Sequence, residues 1–371
     1  MILRKILFLT PNLGSGGGGA ERQIVTVALL MHEKGYIVEF LCYCEGNFYA
    51  PVLIERNIPT HWKVANNYLK RMFWVRQFIR NGNYDVVISF LETPNFLNNF
   101  SAIGGKSWKV ITGERSAKES TFNSRRGKIF AWFQRYSDAI VCNSNNAKEM
   151  WMKYYPQYKN KLTTIYNTVT LPKITSEYIP KRNGKIHIII AASYQYLKNP
   201  IGLIKALALL NNEEREKIRV DWYGRKEVTK RNTKAYDEAK NLINQFNLNN
   251  VISLNEGTKD VANKMNEADF VALFSSVEGL PNTICEGMTL GKPIIMTQVS
   301  DYKVLVDNSN GFLCDWNNIE SIKNVLIDAI TLNEIRLIEM GRISNEKAIS
   351  MFSSNVIVEK WINLISNESK N

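Results

Sequence analysis

Two doubly wound parallel-sheet domains of the α/β class are what the sequence predicts, and three observations carry that expectation. The chain has 371 residues, more than the roughly 250–300 at which a single hydrophobic core stops growing, so two domains are expected. Apolar strand-like runs alternate with helical periodicity, the pattern of βαβ units with parallel pairing. The alternation occurs twice, and a polar stretch with two prolines, NTVTLPKITSEYIPKRNG at 167–184, separates the two series. The expected division is a first domain over 1–170, a linker over 171–184, a second domain over 185–350 and a C-terminal helix over 351–371 that turns back toward the first.

In the first half the strand-like runs are Lys5–Thr10, Ile37–Tyr43, Asp85–Phe90, Lys109–Thr112, Asp138–Asn143 and Leu162–Tyr166. Ile24, Val27, Ala28 and Met31 fall at i, i+3, i+4 and i+7 of a helix that Gly35 stops. The second half opens with Ile186–Ala192, a nearly unbroken apolar run suited to a strand buried on both faces. Further strands are expected at Arg219–Tyr223, Val251–Leu254, Phe270–Phe274, Pro293–Thr297 and Gly311–Cys314, and the pattern is helical from about Ile319 onward.

Composition narrows the function classes. Cys42, Cys44, Cys142, Cys285 and Cys314 are scattered and show no C-x-x-C spacing, which argues for reduced buried thiols rather than a disulfide framework. No apolar run reaches the length of a membrane span, and the opening MILRKILFLTPN reads as a strand rather than a leader, so a cytoplasmic protein is expected. The net charge of +12 is uneven: residues 1–165 hold 22 Lys+Arg against 11 Asp+Glu, and residues 166–371 hold 25 against 24. A field of that kind draws anionic surfaces or substrates to the first half alone. Nucleic acid, anionic phospholipid and a lipid-linked phosphate are the classes it admits.

The most informative segment is ADFVALFSSVEGLPNTICEGMTLGKPII, residues 268–295. An apolar strand ends at Ser275–Ser276, Glu278-Gly279-Leu280-Pro281-Asn282 forms a sharp turn, and a short helix carries Glu286. Backbone N–H groups at that helix start, beyond the carboxyl end of a parallel strand, suit a phosphorylated ligand. One turn into the helix, Glu286 can accept from both hydroxyls of a ribose, and Glu278 can accept from a sugar hydroxyl.

In these residues the chain resembles the retaining GT-B glycosyltransferases of family 4, the "group 1" transferases, whose signature is two glutamates eight apart in a strand–E-G-x-P–helix segment. Glu278 and Glu286 have that spacing within EGLPNTICEG, and GKPII and Asn310–Leu313 also fit. The resemblance implies two Rossmann-like domains facing across a cleft, with the nucleotide-diphosphate sugar, UDP the expected carrier, held by the second. AASYQYLKNPIGLIKAL (191–207) is similar to the family's strand–loop–lysine element. By that likeness Lys198 would contact the donor diphosphate. Ser193 stands where the usual pattern has an arginine, and Arg225 in DWYGRKE is the substitute cation expected.

In the first half, Gly14, Gly16 and Gly19 satisfy G-x-G-x-x-G literally. The glycines do not follow the strand immediately, and no acidic residue ends the second strand in the ribose-binding position, so a dinucleotide fingerprint is a weak reading. The resemblance points to the family's G-G-x-E loop instead, with Gly16, Gly17, Gly18 and Gly19 as donor contacts and Glu21 and Arg22 nearby. Gly113-Glu114-Arg115-Ser116 follows another strand in a region where many members carry a histidine; His32, His61 and His187 all lie elsewhere. Glu114 and Arg115 are expected either to orient the acceptor or reacting sugar or to form an ordinary ion pair. Asn143-Ser144 ends a further strand on the same side.

No D-x-D, H-E-x-x-H or Cys/His ligand spacing occurs in the chain, so neither a metal nor another cofactor is expected. The resemblance implies hexose or N-acetylhexosamine transfer to a glycan or lipid-linked acceptor in cell-surface polysaccharide synthesis. Basic, aromatic segments around Lys70–Trp74 and Arg125–Phe133 suggest a peripheral approach to an anionic membrane, with 125–136 as docking element. Two other classes remain open from the residues alone: a nucleotide-sugar epimerase or dehydrogenase on a related fold, and a non-catalytic basic module for membrane or nucleic acid. The intact glutamate motif favours transfer over either, and nucleic acid is not the expected partner.

Overall fold

The computed structural model describes residues 4–14, 19–64, 67–115, 119–227 and 232–366. The chain forms two compact units, Met1–Thr168 with Ser354–Asn371, and Val169–Ser353.

The first unit runs β1 (Lys5–Thr10), α1 (Gly19–Glu33), β2 (Ile37–Cys42), α2 (Ala50–Glu55), β3 (Thr60–Trp62), α3 (Tyr68–Asn81), β4 (Val86–Phe90) and α4 (Glu92–Ser101). It continues through β5 (Lys109–Glu114), α5 (Glu119–Asn123), α6 (Arg125–Phe133), β6 (Ala139–Cys142), α7 (Asn145–Tyr154) and β7 (Leu162–Thr164). Its seven strands lie in the order β3-β2-β1-β4-β5-β6-β7, and each neighbouring pair is parallel. The strands read as apolar runs because helices cover both faces. Leu7, Leu41, Val87 and Val110 from the sheet pack with Val75 and Ile79 of α3 and with Leu97 of α4. Each fully buried side chain of this kind contributes about 1.5–3 kcal/mol.

The second unit runs β8 (Ile186–Ala191), α8 (Pro200–Ala208), α9 (Asn212–Glu216), β9 (Ile218–Gly224), α10 (Lys234–Gln245), β10 (Ile252–Glu256) and α11 (Val261–Glu267). Then come β11 (Phe270–Leu273), α12 (Asn282–Thr289), β12 (Ile294–Thr297), α13 (Tyr302–Leu305), β13 (Gly311–Cys314), α14 (Ile319–Thr331) and α15 (Glu334–Phe352). Its six strands take the order β10-β9-β8-β11-β12-β13, again all parallel. In both sheets the order reverses beside the first strand, between β1 and β4 and between β8 and β11. A crevice opens at such a switch point beyond the carboxyl ends of the strands.

Segment 171–184 is fastened to the second unit. Asn263 Oδ1 accepts from the Thr175 and Ser176 amides at 2.8 and 3.1 Å, and Asp269 Oδ1 accepts from the Tyr178 hydroxyl and the Lys181 amide, both at 3.0 Å. The last helix, α16 (Ser354–Ser366), returns to the first unit, where Trp361 is 1% exposed and Lys34 pairs with Glu359 at 3.0 Å. The short edge strand β3 has no counterpart among the strands read from sequence. β5 runs two residues further than its apolar core, because Gly113 and Glu114 pair with Val141 and Cys142 of β6. The helical pattern at 125–136 divides into α6 and a 3₁₀ turn, Gln134–Tyr136.

Candidate active site

In the second unit the loops after β8 and β11 are stitched together. The Ser276 amide donates to the Leu197 carbonyl at 2.8 Å, and Thr283 Oγ1, at the start of α12, donates to the Ala191 carbonyl at 2.9 Å. Asn199 adopts a left-handed conformation (φ 59°), its side chain caps α8 through the Gly202 amide at 3.1 Å, and Pro200 follows at the first helical position. Asparagine tolerates that conformation and is a strong helix cap, and proline suits the position after it. The chain just before α8 is therefore pinned, and it carries Lys198.

Lys198 forms an ion pair with Glu278 across the two loops. Both side chains are largely covered, 19% and 12% exposed. Fully buried Ser275 donates its hydroxyl to Glu278 Oε1 at 2.7 Å, while its own carbonyl accepts from Thr297 Oγ1 at 2.6 Å. Glu278 is thus oriented by a hydroxyl as well as by a cation. Ser275 was legible in the sequence only as the last residue of a strand.

The turn after Glu278 is equally constrained. The Ser300 hydroxyl donates to the Gly279 carbonyl, Leu280 and Pro281 are buried, and Asn282 begins α12. Gly287 sits so close to β11 that an added Cβ would lie 2.7 Å from Val271 Cβ. That contact seats α12 on the sheet and leaves half-buried Glu286 beside it.

Ser193 and Arg225 are neighbours through the backbone. The Tyr194 amide donates to the Arg225 carbonyl at 3.0 Å, and a Cβ on Gly224 would strike the Ala192 carbonyl oxygen at 1.9 Å, so only glycine permits this approach. Ser193 Oγ already accepts from Gln195 Nε2 at 2.7 Å. The Arg225 side chain is exposed and has no partner among the described residues. In this unit the structure brings Lys198 and Glu278 into contact; it does not bring the Arg225 guanidinium onto that pair.

In the first unit Gly16, Gly17 and Gly18 lie outside the described residues, and Gly19 starts α1. Glu114 is the last residue of β5, and its Oε1 accepts from Asn95 Nδ2 at 3.0 Å; Ser89 Oγ in turn donates to Asn95 Oδ1 at 2.9 Å. Burial pushes the Glu114 carboxyl up to about 7, the charge of Glu92 adding to the effect and the Asn95 hydrogen bond opposing it. Beside it lies a cavity of about 30 Å3 lined by Glu92, Asn95, Phe122, Phe130 and Trp151. That is enclosed space for a water or two. Arg115 lies 3.6 Å above the Phe90 ring and donates to Asn167 Oδ1 at 2.9 Å. Glu114 and Arg115 form no ion pair with each other: Glu114 turns to Asn95, and Arg115 to Phe90 and Asn167. Ser144 is occupied as the cap of α7, accepting from the Ala147 amide at 3.1 Å.

Residues 174–348 match the model of glycosyl transferases group 1, and residues 17–172 match that of glycosyltransferase family 4. An uncharacterised glycosyltransferase of Methanocaldococcus jannaschii is 30% identical over 357 residues, covering 91% of both chains. The chain belongs to the family 4 glycosyltransferases. Among its relatives, a UDP-Gal:α-D-GlcNAc-diphosphoundecaprenol α-1,3-galactosyltransferase of Escherichia coli is 23% identical over 347 residues, covering 89% of this chain and 82% of its own. HepE of Anabaena, solved in complex with UDP and glucose, superposes with a TM-score of 0.79 at 17% identity over 98% of this glycosyltransferase and 99% of its own chain, a likeness of GT-B fold. Among the described residues no group of three or more His, Cys, Asp or Glu could hold a metal ion, and no helix is long and apolar enough to cross a membrane.

Proposed function

We propose that this glycosyltransferase moves a hexose or N-acetylhexosamine from a UDP-sugar to a glycan or lipid-linked acceptor, with retention at the anomeric carbon and without a metal ion, at the inner face of a membrane. The observation that carries the reading is the Lys198–Glu278 pair held by Ser275 at the reversal of strand order. A diphosphate entering there offers Lys198 a stronger anionic partner. Released from the lysine but still held by Ser275, Glu278 becomes an acceptor for hydroxyls of the transferred sugar. Glu286 accepts from the ribose hydroxyls, and the turn Gly279–Asn282 presents amides at the start of α12 to the phosphates. Arg225 supplies the second cation that Ser193 cannot. Glu114 and Arg115 orient the acceptor or the reacting sugar, and Gly16–Gly19 contact the donor.

In the transfer step the acceptor hydroxyl oxygen bonds to the anomeric carbon on the face that the diphosphate leaves. The carbon–oxygen bond to the β-phosphate breaks, and the hydroxyl proton passes to a phosphate oxygen. Lys198 and the helix amides stabilise the charge developing on the leaving group, which is the task a divalent ion would otherwise perform. The E. coli relative, whose donor is UDP-Gal and whose acceptor is diphosphoundecaprenol-linked, supports a lipid-linked acceptor and a place in cell-surface polysaccharide synthesis.

Thermal shift against a panel of nucleotides and nucleotide-sugars tests the donor: at a hundredfold excess over Kd a bound ligand adds about 2.7 kcal/mol of stability. UDP-sugars are expected to stabilise the wild type and to lose that effect in Lys198→Ala. No response to any nucleotide-sugar, turnover indifferent to Glu278→Ala, or strict dependence on added Mg²⁺ would each overturn part of the reading. An isomerised sugar formed without acceptor would assign the site to epimerisation.

A further inference from the structure

The turn after β11 is gripped from one side by two hydroxyls of the neighbouring strand and its loop. Thr297, the last residue of β12, donates Oγ1 to the Ser275 carbonyl at 2.6 Å, and Ser300 donates its hydroxyl to the Gly279 carbonyl. Ser300 is itself held on both sides. Before it, the Gln298 amide donates to the Cys314 carbonyl at 3.0 Å, and the Val299 amide closes a tight turn on the Thr297 carbonyl at 2.7 Å. After it, the Asp301 carbonyl accepts from the Val304 and Leu305 amides at 2.9 and 3.1 Å as α13 begins. The Ser300 backbone is left-handed (φ 57°), a conformation that costs a residue with a Cβ and that these bonds impose.

A trans peptide is planar, with its C=O and N–H pointing opposite ways. The Gly279 carbonyl points to the β12 side, so the Leu280 N–H points away from it. Because the sheet order is β8-β11-β12, that other side belongs to the loop carrying Lys198. From there Lys198 reaches Glu278, and the Leu197 carbonyl accepts the Ser276 amide at 2.8 Å. Leu280 is only 6% exposed, yet its amide has no acceptor among the described residues. Buried backbone N–H groups are nearly always paired. This one is directed toward a cation, where an anionic oxygen would satisfy both.

We infer that Ser300 is a positioning residue for the donor: by holding the Gly279 carbonyl it aims the Leu280 amide at a phosphate oxygen of the nucleotide-diphosphate sugar. Without the hydroxyl the Gly279–Leu280 peptide is free to rotate, and its carbonyl would then face the phosphate in place of the N–H. The inference rests on the donor reading above and extends it to a residue outside the glutamate motif.

Calorimetry with UDP, a UDP-sugar and uridine tests it on the full chain. Ser300→Gly removes the hydroxyl while permitting the same φ, so Tm is expected to stay close to the wild-type value. The Kd for UDP and for the UDP-sugar is expected to rise roughly five- to ten-fold, the scale of one hydrogen bond, with the Kd for uridine unchanged. Ser300→Asn, which tolerates the left-handed backbone and carries an N–H donor, is expected to regain most of the loss. Unchanged UDP affinity in Ser300→Gly would overturn the inference and leave the donor reading standing. Equal weakening of uridine and UDP together with a fall in Tm would reduce Ser300 to architecture, and weakening of the UDP-sugar alone would overturn the phosphate assignment. Absence of UDP binding by the wild type would end both readings.

Discussion

A lysine and a glutamate 80 positions apart meet in the loops after two central strands, and a fully buried serine holds the carboxylate from the other side. A merely structural pair would not need the serine, and its loss would register as stability rather than rate. Lys198→Ala is therefore expected to lower kcat by roughly 10²–10³, the scale of losing one charge-stabilising donor, with Tm nearly unchanged. Ser275→Ala should lower kcat less, by the roughly 1.5–3 kcal/mol of one hydrogen bond to a charged group. A Tm drop with intact kcat would return both residues to architecture. Glu114 makes a pH prediction of definite sign. Its carboxyl holds a proton to about 7 in the folded chain against 4.5 for the ordinary side chain. Its contribution to stability is thus fully present below about pH 4.5 and is lost as pH rises through 7. Glu114→Gln retains an acceptor for Asn95 and cannot ionise, so the variant should gain Tm relative to wild type progressively from pH 5 to 8. A difference independent of pH would refute this.

At the scale of elements, α12 depends on one glycine. Gly287→Ala would push a methyl group into Val271 of β11, and overpacking of that kind costs about 1–3 kcal/mol. Because Glu286 is the preceding residue, displacement of the helix should, on the proposed donor role of Glu286, also weaken affinity for a UDP-sugar several-fold, measurable by calorimetry. Wild-type stability and affinity would mean that the sheet yields without moving the helix. The strands that were readable are those buried on both faces, such as β4 and β8, where apolar runs leave little ambiguity. β3 was not readable because a three-residue edge strand, THW, carries neither a run nor an alternation long enough to register. The end of β5 was misplaced for a related reason: Gly113 and Glu114 are strand residues only by virtue of pairing with β6.

At the scale of the molecule, the chain crosses into the second unit at Val169 and returns at Ser354. The returning helix is not an appendage. Trp361 lies 6.0 Å from the Phe90 ring within the first unit, and Arg4 donates to the Ile365 carbonyl. Trp361→Ala should cost about 3–5 kcal/mol. The loss should fall on the first unit, seen in hydrogen exchange as lost protection of β1 and β4 while β8 and β11 keep theirs. Uniform loss in both units would contradict it. What the sequence by itself determined is local: the two series of alternating elements, the uneven charge, and the turn and helix carrying Glu278 and Glu286. These follow from periodicity, glycine and proline placement, which act over a few residues. Only the tertiary structure decided that Lys198 reaches Glu278, that Ser275 and Asn95 each hold a carboxylate, and that α3 and α6 both pack on α4. Those relations depend on which strands and helices become neighbours, and residues far apart in the chain carry no mark of their eventual contact.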